Sequence, residues 1–147
     1  LAQLDAAIAG YRRALELDPG FQEAHLNLAI ALHVKGEIGK ALPSYELALA
    51  INPLSHKSRQ GFAAALNARK FYVDAAREYE TLLEKFPAHT TAQLVQDRAA
   101  AHMDLAGVYA NQLKLPDRAK QHFRQALKLN PNHGQAPAIL EWLSQNP

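Results

Sequence analysis

The stretch ALPSYELALAINP, residues 41–53, decides the fold because its spacing recurs along the whole chain. It places a small residue, an aromatic residue, a second small residue and a proline at fixed intervals, namely Ala41, Tyr45, Ala48 and Pro53. Three more copies are Ala7, Tyr11, Ala14 and Pro19; Ala75, Tyr79, Leu82 and Pro87; and Ala119, Phe123, Ala126 and Pro131. A period of this size indicates an array of helical repeats in which each unit packs on its neighbours.

The composition of the 147 residues supports helices and excludes several classes of protein. Alanine, leucine, glutamine, arginine and lysine are abundant, and all are good helix formers. The absence of cysteine excludes a disulfide scaffold, a cysteine-ligated zinc finger and a thiol nucleophile. A net charge of +2 is too small to indicate nucleic acid or an anionic membrane as partner, and no stretch is apolar enough to span a bilayer.

The apolar periodicity predicts eight helices, over residues 1–17, 22–35, 38–51, 56–68, 71–86, 90–113, 116–129 and 135–144. We expect one domain, 1–147, that divides into the second helix of a truncated repeat (1–20), two repeats (21–54 and 55–88), a repeat with an extended first helix (89–132) and a capping helix (133–147). Pro43 predicts an irregular start of its helix. Lys70 stands where a turn glycine is usual, which predicts a different turn conformation.

The last proline interval is 44 residues long, whereas the first two are 34. Nine of the extra residues precede Leu105, and one lies between Tyr109 and Ala119. Residues 88–99 contain neither proline nor glycine, so the sequence predicts one long helix from Thr90 to Leu113, about 36 Å in length.

The pattern resembles the tetratricopeptide repeat, a 34-residue helix–turn–helix unit. Its first-helix signature is present as Leu28-Ala29/Leu32, Phe62-Ala63/Leu66 and Leu105-Ala106/Tyr109. The resemblance implies an all-α fold, a right-handed superhelical solenoid of antiparallel helix pairs with about 3.5 repeats and a C-terminal capping helix. The small residues let helix backbones approach closely, so these motif positions are structural.

The resemblance also implies a concave groove that holds a peptide. Its positions are Glu23, Leu26, Asn27, Ile30, His33, Val34, Lys57, Gln60, Ala64, Asn67, Met103 and Asn111. Asn27 is expected to bond a peptide backbone, and Gly61, Ala64 and Ala68 to leave the groove open. The carboxylate clamp of some family members is disfavoured, since Gly61 stands in its arginine place although Asn27 and Lys57 fit.

No catalytic chemistry is indicated. The seven histidines show no zinc-protease spacing, and neither a G-x-S-x-G elbow nor a glycine-rich phosphate loop is present. We therefore expect no enzyme activity, metal or cofactor. Glu78 and Glu80 are expected to be solvated. The basic group Arg118, Lys120, Arg124 and Lys128 is expected to be solvated surface, with an acidic protein partner as the alternative and no nucleic acid.

The leading hypothesis is a non-catalytic protein–protein interaction scaffold, cytoplasmic, that binds a peptide or partner subunit in the groove. The alternative is a fragment of a larger enzyme or of a membrane-anchored or exported assembly factor, because Leu1 enters the pattern mid-unit. We expect Leu4, Ile8, Tyr11 and Leu15 to be uncovered and to support a homodimer. In the last helix, Ala136, Ile139, Leu140 and Leu143 are expected inward, with Trp142 packed on the preceding helix.

Overall fold

The computed structural model describes residues 2–87 and 91–147, and within them every regular element is helical. The α-helices are α1 (Ala2–Leu17), α2 (Gln22–Val34), α3 (Ile38–Ile51), α4 (His56–Ala68), α5 (Tyr72–Glu84), α6 (Ala92–Gly107), α7 (Pro116–Leu129) and α8 (Ala136–Gln145). A π-helical turn, Val108–Gln112, continues α6. The all-α prediction is confirmed for these residues; the predicted helix starts at Leu1 and Thr90 lie outside them.

The chain forms two compact units, Leu1–Asp74 and Ala75–Pro147, and the boundary falls within α5. In the first unit α1 packs on α2, α2 on α3 and α3 on α4. In the second unit α7 packs on both α6 and α8. The division into successive repeats and a cap stays a prediction.

The repeat signature lies at the joints between helices. In α3 the three signature residues Ala41, Tyr45 and Ala48 are at most 2% exposed, and they belong to the core that α2 contributes to. In α7 the corresponding residues Ala119 and Phe123 are also buried. These positions therefore hold helices together, as the close approach of small residues requires.

The turn at Lys70 has the same left-handed backbone as the turn at Gly36, with φ of 67° and 87°. Both turns are closed by a backbone hydrogen bond to the carbonyl five residues earlier. The Glu37 N–H donates to the Leu32 carbonyl, and the Phe71 N–H donates to the Leu66 carbonyl, both at 2.9 Å. The expectation of a different conformation at Lys70 was wrong, because this bond pattern imposes positive φ regardless of the residue type.

The single extra residue before Ala119 is absorbed by the π-helical turn. Here Leu115 bonds the Tyr109 carbonyl at 2.8 Å, across six residues instead of five, and Lys114 takes the positive φ of 56°. A one-residue insertion into an α-helix produces this geometry. The predicted long helix is thus continuous over residues 92–112, about 31 Å, with Thr91 as its N-cap.

Pro43 lies inside α3, which begins at Ile38, and the N-cap residue Glu37 has neither an extended backbone nor a side-chain cap bond, so the irregular start stays a prediction. One smaller expectation was wrong. Leu140 points outward from α8 and is 58% exposed, whereas Ala136 and Ile139 are buried as predicted. The buried stripe of α8 is narrow because α7 is the neighbour that contacts it.

Candidate functional site

The first unit contains a cleft of about 510 Å³ between α2 and the start of α4. Five of the predicted groove residues line it: Glu23, Leu26, Asn27, Ile30 and Lys57. The loop before α4 completes the lining with Asn52, Leu54 and Ser55, and Gln22 and His56 stand at the two helix starts.

The walls of this cleft combine apolar and polar groups. Ile30 and Leu54 are 43% and 70% exposed, so both offer apolar surface to a ligand. Leu26 is buried and belongs to the hydrophobic core beneath. Glu23, Asn27 and Lys57 are exposed, which places one negative, one amide and one positive group at the same opening.

Hydrogen bonds fix the α4 side of the cleft. Ser55 caps α4 by accepting from the Ser58 N–H at 3.3 Å, and the two serine hydroxyls are 2.8 Å apart. Gln22 at the start of α2 donates to the Ser58 hydroxyl at 3.0 Å. Ser55 therefore ties the loop that presents Leu54 to α4, and Gln22 ties the start of α2 to the same helix, so the cleft is preorganised for binding.

The other predicted groove residues of the first unit lie along α2 and α4, outside this cleft lining. His33 is half-buried with its ring edge toward Tyr45, 6.3 Å between ring centroids, and Val34 is exposed. Three more predicted groove residues lie on α4 and are half-buried, namely Gln60, Ala64 and Asn67. The Asn67 Oδ1 atom is buried and has no hydrogen-bond partner in the described part of the chain.

Gly61 does not open the groove, contrary to expectation. A Cβ placed on it would stand 2.4 Å from Cε1 of Tyr45, so the Tyr45 ring packs directly on this glycine. A larger residue there would overpack the joint between α3 and α4. The open groove predicted from Gly61 is in fact a close helix contact.

In the second unit, Met103 and Asn111 line a separate pocket of about 340 Å³ with α7 and α8. Phe123 and Trp142 form an edge-to-face pair across it, 5.1 Å between ring centroids. The predicted packing of Trp142 on the preceding helix is confirmed. Seven of the twelve predicted groove residues thus line two distinct depressions, five in the first unit and two in the second.

Sequence reasoning missed a polar cluster in the second unit. The buried Tyr109 hydroxyl donates to Glu80, and Arg118 lies 3.3 Å from the same hydroxyl and 3.8 Å from Glu80. Burial and the Glu80 carboxylate raise the pKa of Tyr109. Glu80 is exposed, as expected for a solvated residue, but its carboxylate also accepts the hydrogen bond from Tyr109. The sequence signal for this cluster was Tyr109 itself, an aromatic residue with a hydroxyl at the position that Leu32 and Leu66 occupy in the other repeats.

A histidine pair adjoins this cluster. The Nδ1 atoms of His102 and His122 are 2.9 Å apart, and Tyr109 stacks on His122. Burial, the neighbouring His122 and Arg98 lower the pKa of His102 to about 4. Burial also lowers the pKa of His122. Within residues 2–87 and 91–147 no group of three or more histidine, cysteine or acidic residues could hold a metal ion.

Comparisons with known proteins agree with this architecture. The family described as TPR repeat matches residues 3–36, and that described as Tetratricopeptide repeat matches residues 99–133. The type IV pilus assembly protein PilF of Pseudomonas aeruginosa is 31% identical over 121 residues, which cover 82% of this chain and 45% of PilF. The chain therefore spans less than half of that relative's length.

Two solved structures show the same fold. That of Pseudomonas aeruginosa PilF has a TM-score of 0.82 at 26% identity, covering 99% of this chain and 62% of the PilF chain. MamA of Desulfovibrio magneticus RS-1 has a TM-score of 0.75 at 17% identity, covering 97% and 82%, a likeness of fold alone. No helix in the described residues is long and apolar enough to cross a membrane. With the repeat signature, the helix pairs and these matches together, the chain belongs to the tetratricopeptide-repeat family.

Proposed function

We propose that this chain is a protein-interaction scaffold that holds a peptide segment of a partner protein in the cleft between α2 and α4. The observation that carries the proposal is the convergence of five predicted groove residues on one opening in the first unit. A concave site with apolar walls and a few polar groups is the usual form of a ligand site.

The side chains present favour an extended peptide with an aliphatic residue. Ile30 and Leu54 supply exposed apolar surface, whose burial contributes about 25 cal/mol per Å². The Asn27 amide can donate to and accept from a peptide backbone. Neither Asn27 nor Lys57 has a hydrogen-bonded or ion-paired partner within the described parts of the chain, so both are available to a ligand.

The relationship to PilF supports a partner that is a subunit of a larger assembly, since PilF is a type IV pilus assembly protein. Under this proposal the chain recruits or positions such a subunit and carries out no chemistry itself. Because the chain spans less than half of PilF, its role as one region of a longer assembly factor is the second candidate.

The test is site-directed photo-crosslinking. The chain contains no cysteine, so a single Glu23→Cys substitution carries a photo-activated crosslinker to the rim of the cleft only. Crosslinked proteins are identified by mass spectrometry before and after the added substitutions Asn27→Ala and Ile30→Glu. We expect at least about a tenfold loss of the crosslinked partner, because a buried carboxylate in the cleft is costly to desolvate.

A matched control adds Leu47→Glu instead. Leu47 of α3 is 49% exposed, close to the value for Ile30, and lies outside the cleft. This variant should keep the crosslink. Equal losses in both variants, or an undiminished crosslink in the Asn27→Ala and Ile30→Glu chain, would remove the cleft from the proposal. Pilus subunits among the partners would favour the assembly role.

A further inference from the structure

The apolar side chains of α1 that were expected to be uncovered are packed instead. Ile8 is 5% exposed and belongs to the core, and Leu4, Tyr11 and Leu15 pack against that core. The expectation was wrong because α2 covers this side of α1. The predicted homodimer therefore loses this basis, and the exposed groups that point to a ligand lie in the α2–α4 cleft.

Two side chains of opposite charge face that cleft from its two walls. Glu23 is on the α2 wall and Lys57 on the α4 wall, and both are exposed. The helix starts that carry them are bonded to each other, because Gln22 donates to the Ser58 hydroxyl at 3.0 Å. The negative and the positive group therefore lie at the same end of the cleft.

Neither charge is neutralised by the protein itself. Among residues 2–87 and 91–147, Glu23 and Lys57 have no ion-pair partner, and they do not pair with each other. Arg59, two residues after Lys57, instead donates to the Pro53 carbonyl at 2.9 Å and does not line the cleft. The cleft thus offers one anion and one cation to whatever occupies it.

The apolar wall of the cleft lies further along α2. Ile30 follows Glu23 by seven residues, which is about 10 Å along the helix axis at about 1.5 Å per residue. Asn27 lies between them on the same face of the helix. An extended peptide spans this distance in about three residues. The charged end and the apolar wall are therefore within reach of one short segment.

We propose that the peptide held in this cleft carries a basic residue next to an acidic residue, with an aliphatic residue two to four positions away. This inference rests on the proposed function and names the ligand of that same site. Successive side chains of an extended peptide point to opposite sides, so the basic residue reaches Glu23 while its acidic neighbour reaches Lys57. The aliphatic residue then covers Ile30.

Charge complementarity favours this ligand over one of a single sign. A purely acidic segment would pair with Lys57 but face the Glu23 carboxylate, and a purely basic segment would face the Lys57 ammonium. Both pairs are exposed, so loss of one charge should weaken binding only about two- to fivefold. A chain that carries a crosslinker at position 23 thus still captures its partner, whereas reversed charges repel it.

Peptide selection supplies the probe for the test. A phage-displayed library of short random linear peptides is selected on the 147-residue chain, and the strongest binder is synthesised as selected and with its basic and acidic residues exchanged. Fluorescence anisotropy measures the Kd of both forms for wild type and for the swapped chain, Glu23→Lys with Lys57→Glu, which has the same net charge. Wild type should bind the selected form at least about tenfold more tightly, and the swapped chain should prefer the exchanged form.

A matched control exchanges two charges outside the cleft. Glu46→Lys with Arg69→Glu alters two exposed residues that do not line it, and this variant should keep the wild-type preference. Circular dichroism checks that the swapped chain keeps its helices. Wild type that binds both forms equally, or a folded swapped chain that keeps the wild-type preference, would overturn the charge pattern.

The Ile30→Glu variant separates failure of this pattern from failure of the cleft. Selected peptides that lose about tenfold in affinity with Ile30→Glu, yet lack the charge pair or ignore its exchange, would leave the cleft as the site and overturn the proposed ligand. Peptides that ignore both Ile30→Glu and the swapped charges bind elsewhere, and would contradict the cleft as well.

Discussion

The hairpins α2–α3 and α6–α7 follow one template, yet an equivalent histidine has a different partner in each. His25 of α2 lies 2.9 Å by its Nε2 atom from the Pro19 carbonyl, the end of the preceding signature. Arg59, at the same position of the next repeat, donates to the Pro53 carbonyl at 2.9 Å. His102 of α6 contacts His122 of α7 instead.

The inserted residues account for the difference. Six residues separate Pro19 from His25 and Pro53 from Arg59, whereas fifteen separate Pro87 from His102. In the regular repeats the residue at this position bonds the carbonyl of the preceding signature proline, whereas Pro87 is distant from His102 along the chain. His102 instead contacts His122 of its own hairpin, so the α6–α7 joint is partly polar. An insertion in this repeat array thus changes the chemistry of a joint while the two helices of the hairpin still pack on each other.

The largest expected effect concerns acid stability of the α6–α7 hairpin. The folded pKa of His102 is about 4, below its ordinary value of about 6.5. Between these values the unfolded chain binds more protons, so the free energy of unfolding falls as pH falls, by up to about 3 kcal/mol, and the stability is fully present above pH 6.5. Urea unfolding at pH 7.5 and pH 4.5, followed through Trp142 fluorescence, measures the loss.

The double variant His102→Gln, His122→Gln isolates the pair from carboxylates that also titrate in acid. Its stability should depend less steeply on pH than that of wild type, whatever its absolute value. An unchanged slope in the double variant would mean that the His102–His122 contact does not control acid stability.

A smaller effect is expected from hydroxyl removal in each hairpin. Tyr109→Phe deletes a group bonded to Glu80 and near Arg118, and should cost about 1–2 kcal/mol. Burial raises the pKa of Tyr45 to about 12, and its hydroxyl bonds no group among the described residues, so Tyr45→Phe should stay within about 0.5 kcal/mol. Chemical denaturation at pH 7.5 compares the two. Equal costs would contradict a polar joint specific to α6–α7.

The sequence predicted the helices of both hairpins because period and turn residues are local properties. It also led to the α2–α4 cleft, since groove positions follow from the repeat register. It could not predict that Leu54 joins this cleft, because a loop residue has no register. Nor could it predict that the Tyr45 ring packs on Gly61, or that the Tyr109 hydroxyl bonds Glu80, a residue 29 positions earlier in the chain. Such contacts depend on side-chain placement between helices.

The smallest expected effect is a change in stability caused by the backbone conformation of the turns at Gly36 and Lys114. Gly36 and Lys114 have positive φ in equivalent turns, although the second turn is preceded by the π-helical turn. A residue with a Cβ is strained at positive φ, so Lys114→Gly should stabilise the chain by about 0.5–1 kcal/mol and Gly36→Lys should destabilise it similarly. A shift of the denaturation midpoint with an unchanged m value measures both. If Lys114→Gly destabilises the chain instead, the Lys114 side chain makes contacts that outweigh backbone strain, and the two turns differ in more than the one extra residue.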